Sequence, residues 1–165
     1  MRSNSDEITQ IANESNDVIH AFESTFKELT TLASSSSSSA IKIQNRLFTT
    51  LVKVDHILFK SKAYAAILSS DESSEFVDHK NCRMGKWYMA MGKERFGHTK
   101  AFIEMDKPHK IVHDNVSKNL EFVKDHTTIK HDNPKIIHQN FVIMENASHE
   151  LFIKLDKMLE EFLSE

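Results

Sequence analysis

The chain of 165 residues is one domain's worth with room for an extra helix, and its 3 glycines and 2 prolines supply few turns. Val, Ile, Thr and Tyr do not gather into alternating runs, so composition excludes a many-stranded fold and points to a few long helices. The net charge of −3, mixed in sign along the chain, leaves no basic stripe for nucleic acid.

From Asp6 to Leu32 the apolar residues Ile8, Ile11, Val18, Phe22, Leu29 and Leu32 recur in steps of three and four, with Ser15 and Thr25 in the same register. So narrow a seam predicts a helix that pairs with a coiled-coil or bundle partner rather than one that covers a monomeric core. Ser34–Ser39 is an unbroken serine run. Serine competes with helix by bonding to nearby backbone, so the run reads as a linker, although its helix penalty is mild enough for a helical run. A second helix is expected over Ala40–Leu68, burying Ile41, Leu47, Phe48, Leu51, Val54, Leu58, Ala65 and Leu68.

The stretch from Ser69 to Gly97 is less regular and holds Gly85, Gly92 and Gly97; a short helix near Glu75–Asn81 and a turn near Trp87 are expected in it. A third long helix should start near Asp106, with Pro108 in the first turn where its missing N–H costs nothing, and bury Ile111, Val112, Val116, Leu120 and Val123. A fourth should start at Asn133-Pro134, an N-cap followed by proline, and bury Ile137, Phe141, Met144, Leu151, Leu155, Leu159 and Phe162. The expected fold class is all-α: a four-helix bundle with an irregular cysteine-bearing excursion, preceded by an N-terminal helix. The expected division is a connector helix over 1–33, a serine linker over 34–39 and the bundle domain over 40–165.

No apolar run reaches the ~18 residues a membrane span needs, and MRSNSDEITQ has no signal-peptide core. The single cysteine excludes an intramolecular disulfide framework and fits a reducing cytoplasm. Ten histidines are many for this length. His109 and His113, four apart, would stack on one face of the third helix, within reach of one ion, although so many histidines also make such pairs by chance. Cys82 stands in Cys82-Arg83-Met84-Gly85-Lys86-Trp87, where Gly85 permits a tight or left-handed turn and Met84 with Trp87 can pin the loop to the bundle. A small buried hydrophobe is the alternative role for Cys82. His56 is the one histidine of the second helix; it is either a satisfied core residue or the fourth ligand beside Cys82, His109 and His113. Three nitrogens and one sulfur suit a closed tetrahedral Zn2+ site, with His79 in reserve at His-x-x-Cys spacing. Asp55, Asp78 and Asp114 lie near these residues in sequence as candidates to orient the imidazoles.

Taken together, His56-Ile57-Leu58-Phe59, Cys82-x-Met84-Gly85-x-Trp87 and His109-x-x-x-His113 resemble the signature of the chemoreceptor zinc-binding domain. Phenylalanine stands at position 59, where many members have tryptophan, and the resemblance spans residues 41–162. Upstream, the seam from Ile8 to Leu32 is similar to the end of a methyl-accepting chemotaxis signalling coiled coil. The whole resembles the C-terminal part of a soluble, cytoplasmic chemoreceptor of the energy- and oxidant-taxis type of epsilon-proteobacteria. The methionine start and the missing kinase-contacting hairpin make it read as a fragment.

The resemblance implies zinc held by His56, Cys82, His109 and His113, a homodimer, and signalling through an attached chemoreceptor domain to the chemotaxis kinase complex. It implies sensing of hypochlorous acid and related oxidants, with Cys82 as the redox-sensing residue. Four protein ligands leave no open position for water, so no enzyme and no catalytic residue is expected. Zinc-concentration sensing, a purely structural zinc site and a regulator of a nucleotide cyclase are the alternatives. A di-iron bundle needs carboxylates at helical spacing from histidines; no Glu-x-x-His occurs here and no histidine is followed four residues later by Asp or Glu.

Overall fold

The computed structural model describes residues 2–164. Its helices are α1 (Arg2–Ser69), α2 (Arg83–Trp87), α3 (Lys93–Phe96), α4 (Lys100–Lys124) and α5 (Asn133–Leu163); a π-type turn over Tyr88–Gly92, broken at Ala90, joins α2 to α3. The described residues contain no strand, and the all-α helical bundle expected from the sequence is the fold. Internal contacts divide the chain into two compact units, one up to Gln44 and one from Asn45 onward.

In the first unit every described residue from Asn4 to Gln44 is exposed, including Ile8, Ile11, Val18, Phe22, Leu29 and Leu32. The narrow seam is therefore uncovered. Ser34–Ser39 is helical, inside α1. Hydroxyls elsewhere in this unit fold back on their own helix, Thr9 onto the Ser5 carbonyl at 2.9 Å and Ser15 onto that of Ile11 at 2.7 Å, a geometry compatible with unbroken helix.

In the second unit, α1 runs antiparallel to α5: Lys53 reaches Asp156 and Lys60 reaches Glu145, both at 2.5 Å, while the Tyr64 ring packs tilted, 4.3 Å from that of Phe141. Helix α1 runs parallel to α4, with Val52 and Met105 in one apolar cluster and Ala63 and Ala66 beside Val112, Val116 and Leu120 in the other. The α4–α5 pair is antiparallel, tied by Lys154 to Glu104 and, near the other end, by Asn140 to Asn119 at 2.7 Å. Segment 70–99 leaves the end of α1, returns along the bundle and packs α2 and α3 against the first cluster through Met84, Trp87 and Phe96.

Several sequence expectations are corrected. Helix α1 turns inward Asn45, Thr49, Val52, His56, Lys60, Ala63 and Ala66, whereas Ile41, Leu47, Leu51, Val54, Leu58, Ala65 and Leu68 are exposed and Phe48 is half-buried. The inward face is the one that carries His56, and it is narrow because small and polar residues meet α4 there. Residues 75–78 are irregular and 79–81 form a turn, rather than a helix, organised by Asp78, whose carboxylate accepts from the amides of Lys80 at 2.8 Å and Asn81 at 2.9 Å. Helix α4 starts at Lys100 rather than near Asp106, because the Thr99 hydroxyl caps it by accepting from the Phe102 N–H; Pro108 thus lies inside the helix, buried. Asp132, not Asn133, occupies the cap position of α5, with Pro134 in its first turn.

Candidate metal centre

His109 and His113 lie one turn apart on α4 and flank the fully buried Val112, so the packing that buries Val112 also points both imidazoles at α1. His56 meets them from α1, with ring centroids 5.0 Å from His109 and 5.6 Å from His113. Cys82 arrives from the excursion at the N-terminus of α2, where its sulfur accepts from the Gly85 N–H at 3.3 Å. One donor atom from each of His56, Cys82, His109 and His113 lies within 4.8 Å of the others. The sequence-predicted set is brought together, from three separate segments.

Glycine at position 85 serves a different purpose from the expected turn. Its φ is not positive; instead a Cβ there would lie 2.0 Å from the His79 carbonyl oxygen. The main chain of residues 79–80 crosses α2 so closely that only glycine fits, and this crossing delivers Cys82. Met84, fully buried, and Trp87, 4.6 Å from Phe48, pin the loop as expected.

The protonation pattern suits a metal. Nδ1 of His56 lies 2.8 Å from the Val52 carbonyl and Nδ1 of His113 lies 2.9 Å from that of Val77, so each donates N–H outward and turns a bare Nε2 inward. Those two Nε2 atoms are buried and have no hydrogen-bond partner. Buried unpaired acceptors cost about 1–3 kcal/mol each, and an ion at the centre would satisfy both at once. Nε2 of His109 lies 3.3 Å from the Cys82 sulfur. Ideal tetrahedral zinc with Zn–N and Zn–S bonds of ~2.0–2.3 Å places its donors about 3.3–3.6 Å apart, so this set fits after a small contraction.

Burial pushes His56 below its ordinary value, and burial with the neighbouring histidines pushes His109 to about 2; His113 is pushed down to about 4, by burial first. All three are neutral near pH 7, the ligating form. Burial pushes the Cys82 thiol up, against the Gly85 and Met84 amides that draw it down. A cation at the centre would reverse that bias.

The candidate carboxylates do not orient the imidazoles. Asp55 pairs with Arg83 at 3.2 Å, Asp78 holds the turn before Cys82, and Asp114 pairs with Lys110. Sequence reasoning missed the Val52 and Val77 carbonyls, since backbone acceptors carry no side-chain signal. The reserve candidate His79 stands aside, its ring 5.9 Å from that of His109 and its carbonyl 3.5 Å from the Cys82 sulfur. No helix among the described residues is long and apolar enough to cross a membrane.

Residues 56–120 match the family model described as the chemoreceptor zinc-binding domain, a span that opens on His56 and includes Cys82, His109 and His113. No curated protein and no solved structure matches the chain.

Proposed function

We propose that this chain, whose residues 56–120 match the chemoreceptor zinc-binding domain model, is the zinc-binding sensory part of a cytoplasmic chemoreceptor that detects oxidants such as hypochlorous acid through Cys82. The observation that carries the reading is the cluster of His56, Cys82, His109 and His113, with two buried Nε2 atoms aimed inward and unpartnered. Bound zinc would hold the sulfur as thiolate, the form oxidants attack, and with four protein ligands would leave no position for hydrolytic water. Attack of the Cys82 thiolate on the chlorine of hypochlorous acid forms an S–Cl bond and releases hydroxide, and solvent water then displaces chloride to leave a sulfenic acid. With no second cysteine in the chain, no intramolecular disulfide follows. Oxidised sulfur is a poorer ligand, so the turn held by Asp78 loses one of its ties to His56 and to α4.

The signal would leave along α1, which contains His56 and the N-terminal seam. In this reading residues 1–33 are the end of a signalling coiled coil, 34–39 a helical connector and 40–165 the sensor. The exposed Leu47, Leu51, Val54 and Leu58 form a stripe on α1 suited to a second copy of the chain, hence a homodimer coupled through its signalling domain to the chemotaxis kinase complex. The closed four-ligand set also suits a structural zinc staple, in a dimerisation module or a zinc-concentration sensor. Oxidant titration separates them: the sensor releases zinc in step with Cys82 oxidation, whereas zinc content and helix packing unchanged at full Cys82 oxidation would leave only the staple.

A further inference from the structure

We propose that a cleft beside Cys82 is the reagent entrance to the centre, that the Asp55–Arg83 ion pair is its clasp, and that Arg83 makes the entrance favour anions. The cleft holds about 300 Å³, and its wall includes three of the four donors, His56, Cys82 and His113. The imidazoles of His56 and His113 are buried, whereas Cys82 is only half-buried, so the sulfur is the donor with the freer path to solvent. At ~30 Å³ per water this space admits about ten waters, the scale of a small reagent and not of a peptide.

Phe59, Val77 and Met84 make one side of the cleft apolar, so its charged groups are Asp55 and Arg83. Asp55 directly precedes His56, and Arg83 directly follows Cys82; their contact of 3.2 Å bridges the two segments that present neighbouring donors. Widening the cleft therefore means parting this pair. The pair also decides the sign of the entrance. Asp55 lies in the cleft wall beside Cys82, and Arg83, paired with it at 3.2 Å, is the one Lys or Arg there. Without it, Asp55 is the one charged side chain left in the cleft wall and disfavours an approaching anion; with it, that carboxylate is balanced and the approach is eased.

This inference rests on Cys82 being the reactive group of the proposed sensor, but alkylation tests it without requiring any sensing. In the zinc-loaded full chain, the rate constants for modification of Cys82 by iodoacetate and by the similarly sized, neutral iodoacetamide give a charge-selectivity ratio. Arg83→Gln should lower the iodoacetate-to-iodoacetamide ratio by roughly three- to tenfold, while the iodoacetamide rate itself rises because the clasp is open. Asp55→Asn should raise the ratio, and Arg83→Lys should hold it within about twofold of the parent, since the charge is kept. High salt should compress all these differences. An unchanged ratio in Arg83→Gln, or an Arg83→Lys ratio as low as that of Arg83→Gln, overturns the proposal. Should Arg83→Gln lose zinc or helix content, Asp55→Asn decides: an unchanged or lower ratio overturns it. Failure of oxidants to release zinc would sink the sensor reading and leave the entrance standing.

Discussion

Replacing His113 with Ala removes one Nε2 donor and one ring from a buried cluster, and the structure separates the two effects. Structural zinc contributes about 10–16 kcal/mol of binding free energy, so one ligand in four carries roughly 2.5–4 kcal/mol. At about 1.4 kcal/mol per decade, zinc affinity should fall by some two to three orders of magnitude. The metal-free protein should respond far less. Its His113 ring packs 4.4 Å from Phe59 and 4.9 Å from His109, and that contact is lost. The orphaned Nε2 disappears with it, however, which returns part of the ~1–3 kcal/mol its burial costs. Chelator competition gives the affinity, and urea unfolding of metal-free protein gives the stability. His79→Ala is the control and should stay within about threefold of the parent, because His79 lies outside the donor set. A His113→Ala affinity within tenfold of the parent, or a His79→Ala loss as large, would refute the ligand assignment.

Three further outcomes follow from the same geometry. Unfolded histidines take up protons near pH 6.5, whereas His113 in the folded metal-free chain waits until about 4 and His109 until about 2, so stability present above pH 6.5 should drain away as pH falls toward 4. A urea midpoint that stays constant between pH 7.5 and 5, in chelator, would contradict this burial of neutral imidazoles. Gly85→Ala, whose Cβ would stand 2.0 Å from the His79 carbonyl oxygen, should cost about 1–3 kcal/mol and weaken zinc retention, read by thermal unfolding and metal analysis; parental values in both would mean the crossing is loose. Leu51→Lys with Leu58→Lys, at sites exposed in the chain, should convert a dimer to monomer in sedimentation while zinc content holds; a dimer that persists would place the interface elsewhere.

The parts of the fold legible in the sequence are those where one strong pattern acts alone. In α5 the face from Ile137 through Leu159 is apolar apart from the buried Ser148, and the buried residues Ile137, Met144, Leu151, Leu155 and Leu159 are those the period selects. Helix α1 misleads because it has two faces with opposite claims. Its most apolar stripe, Leu47, Leu51, Val54 and Leu58, is exposed, and its inward stripe is mostly polar, so hydrophobicity alone chooses the wrong side. Proline at 108 suggested a helix start, but the capping hydroxyl of Thr99 and the buried packing around Met105 extend α4 through it. The grouping of His56, Cys82, His109 and His113 was legible chiefly through the resemblance of their combined pattern to a family signature, since each residue alone had an ordinary alternative role. Their supports were not, because backbone carbonyls and a glycine chosen for a close crossing leave no chemical signature.

The polar inward face of α1 bears directly on why a metal would matter here. Between Asn45 and Ser69 its fully inward apolar residues are Val52, Ala63 and Ala66, two of them alanines that bury little surface. Half-buried Phe48, Phe59 and Tyr64 add aromatic contacts at its flanks, and the remaining ties are polar: Lys53 to Asp156, Lys60 and Tyr64 to Glu145, Asp55 to Arg83. The solvent-facing pairs among these, Lys53–Asp156 and Asp55–Arg83, contribute at most about 1 kcal/mol each. By contrast, α4 and α5 bury Met105, Val112, Val116, Met144, Leu151, Leu155 and Met158 between them. The bundle thus has a firmly packed pair and a third helix docked lightly against it, with His56 at the middle of the light contact. A metal joining His56 to His109 and His113 would supply the strongest bond that α1 makes to the pair. Weakening that bond through Cys82 would then move α1 first and leave α4 and α5 in place, a displacement confined to the helix that also carries the N-terminal seam.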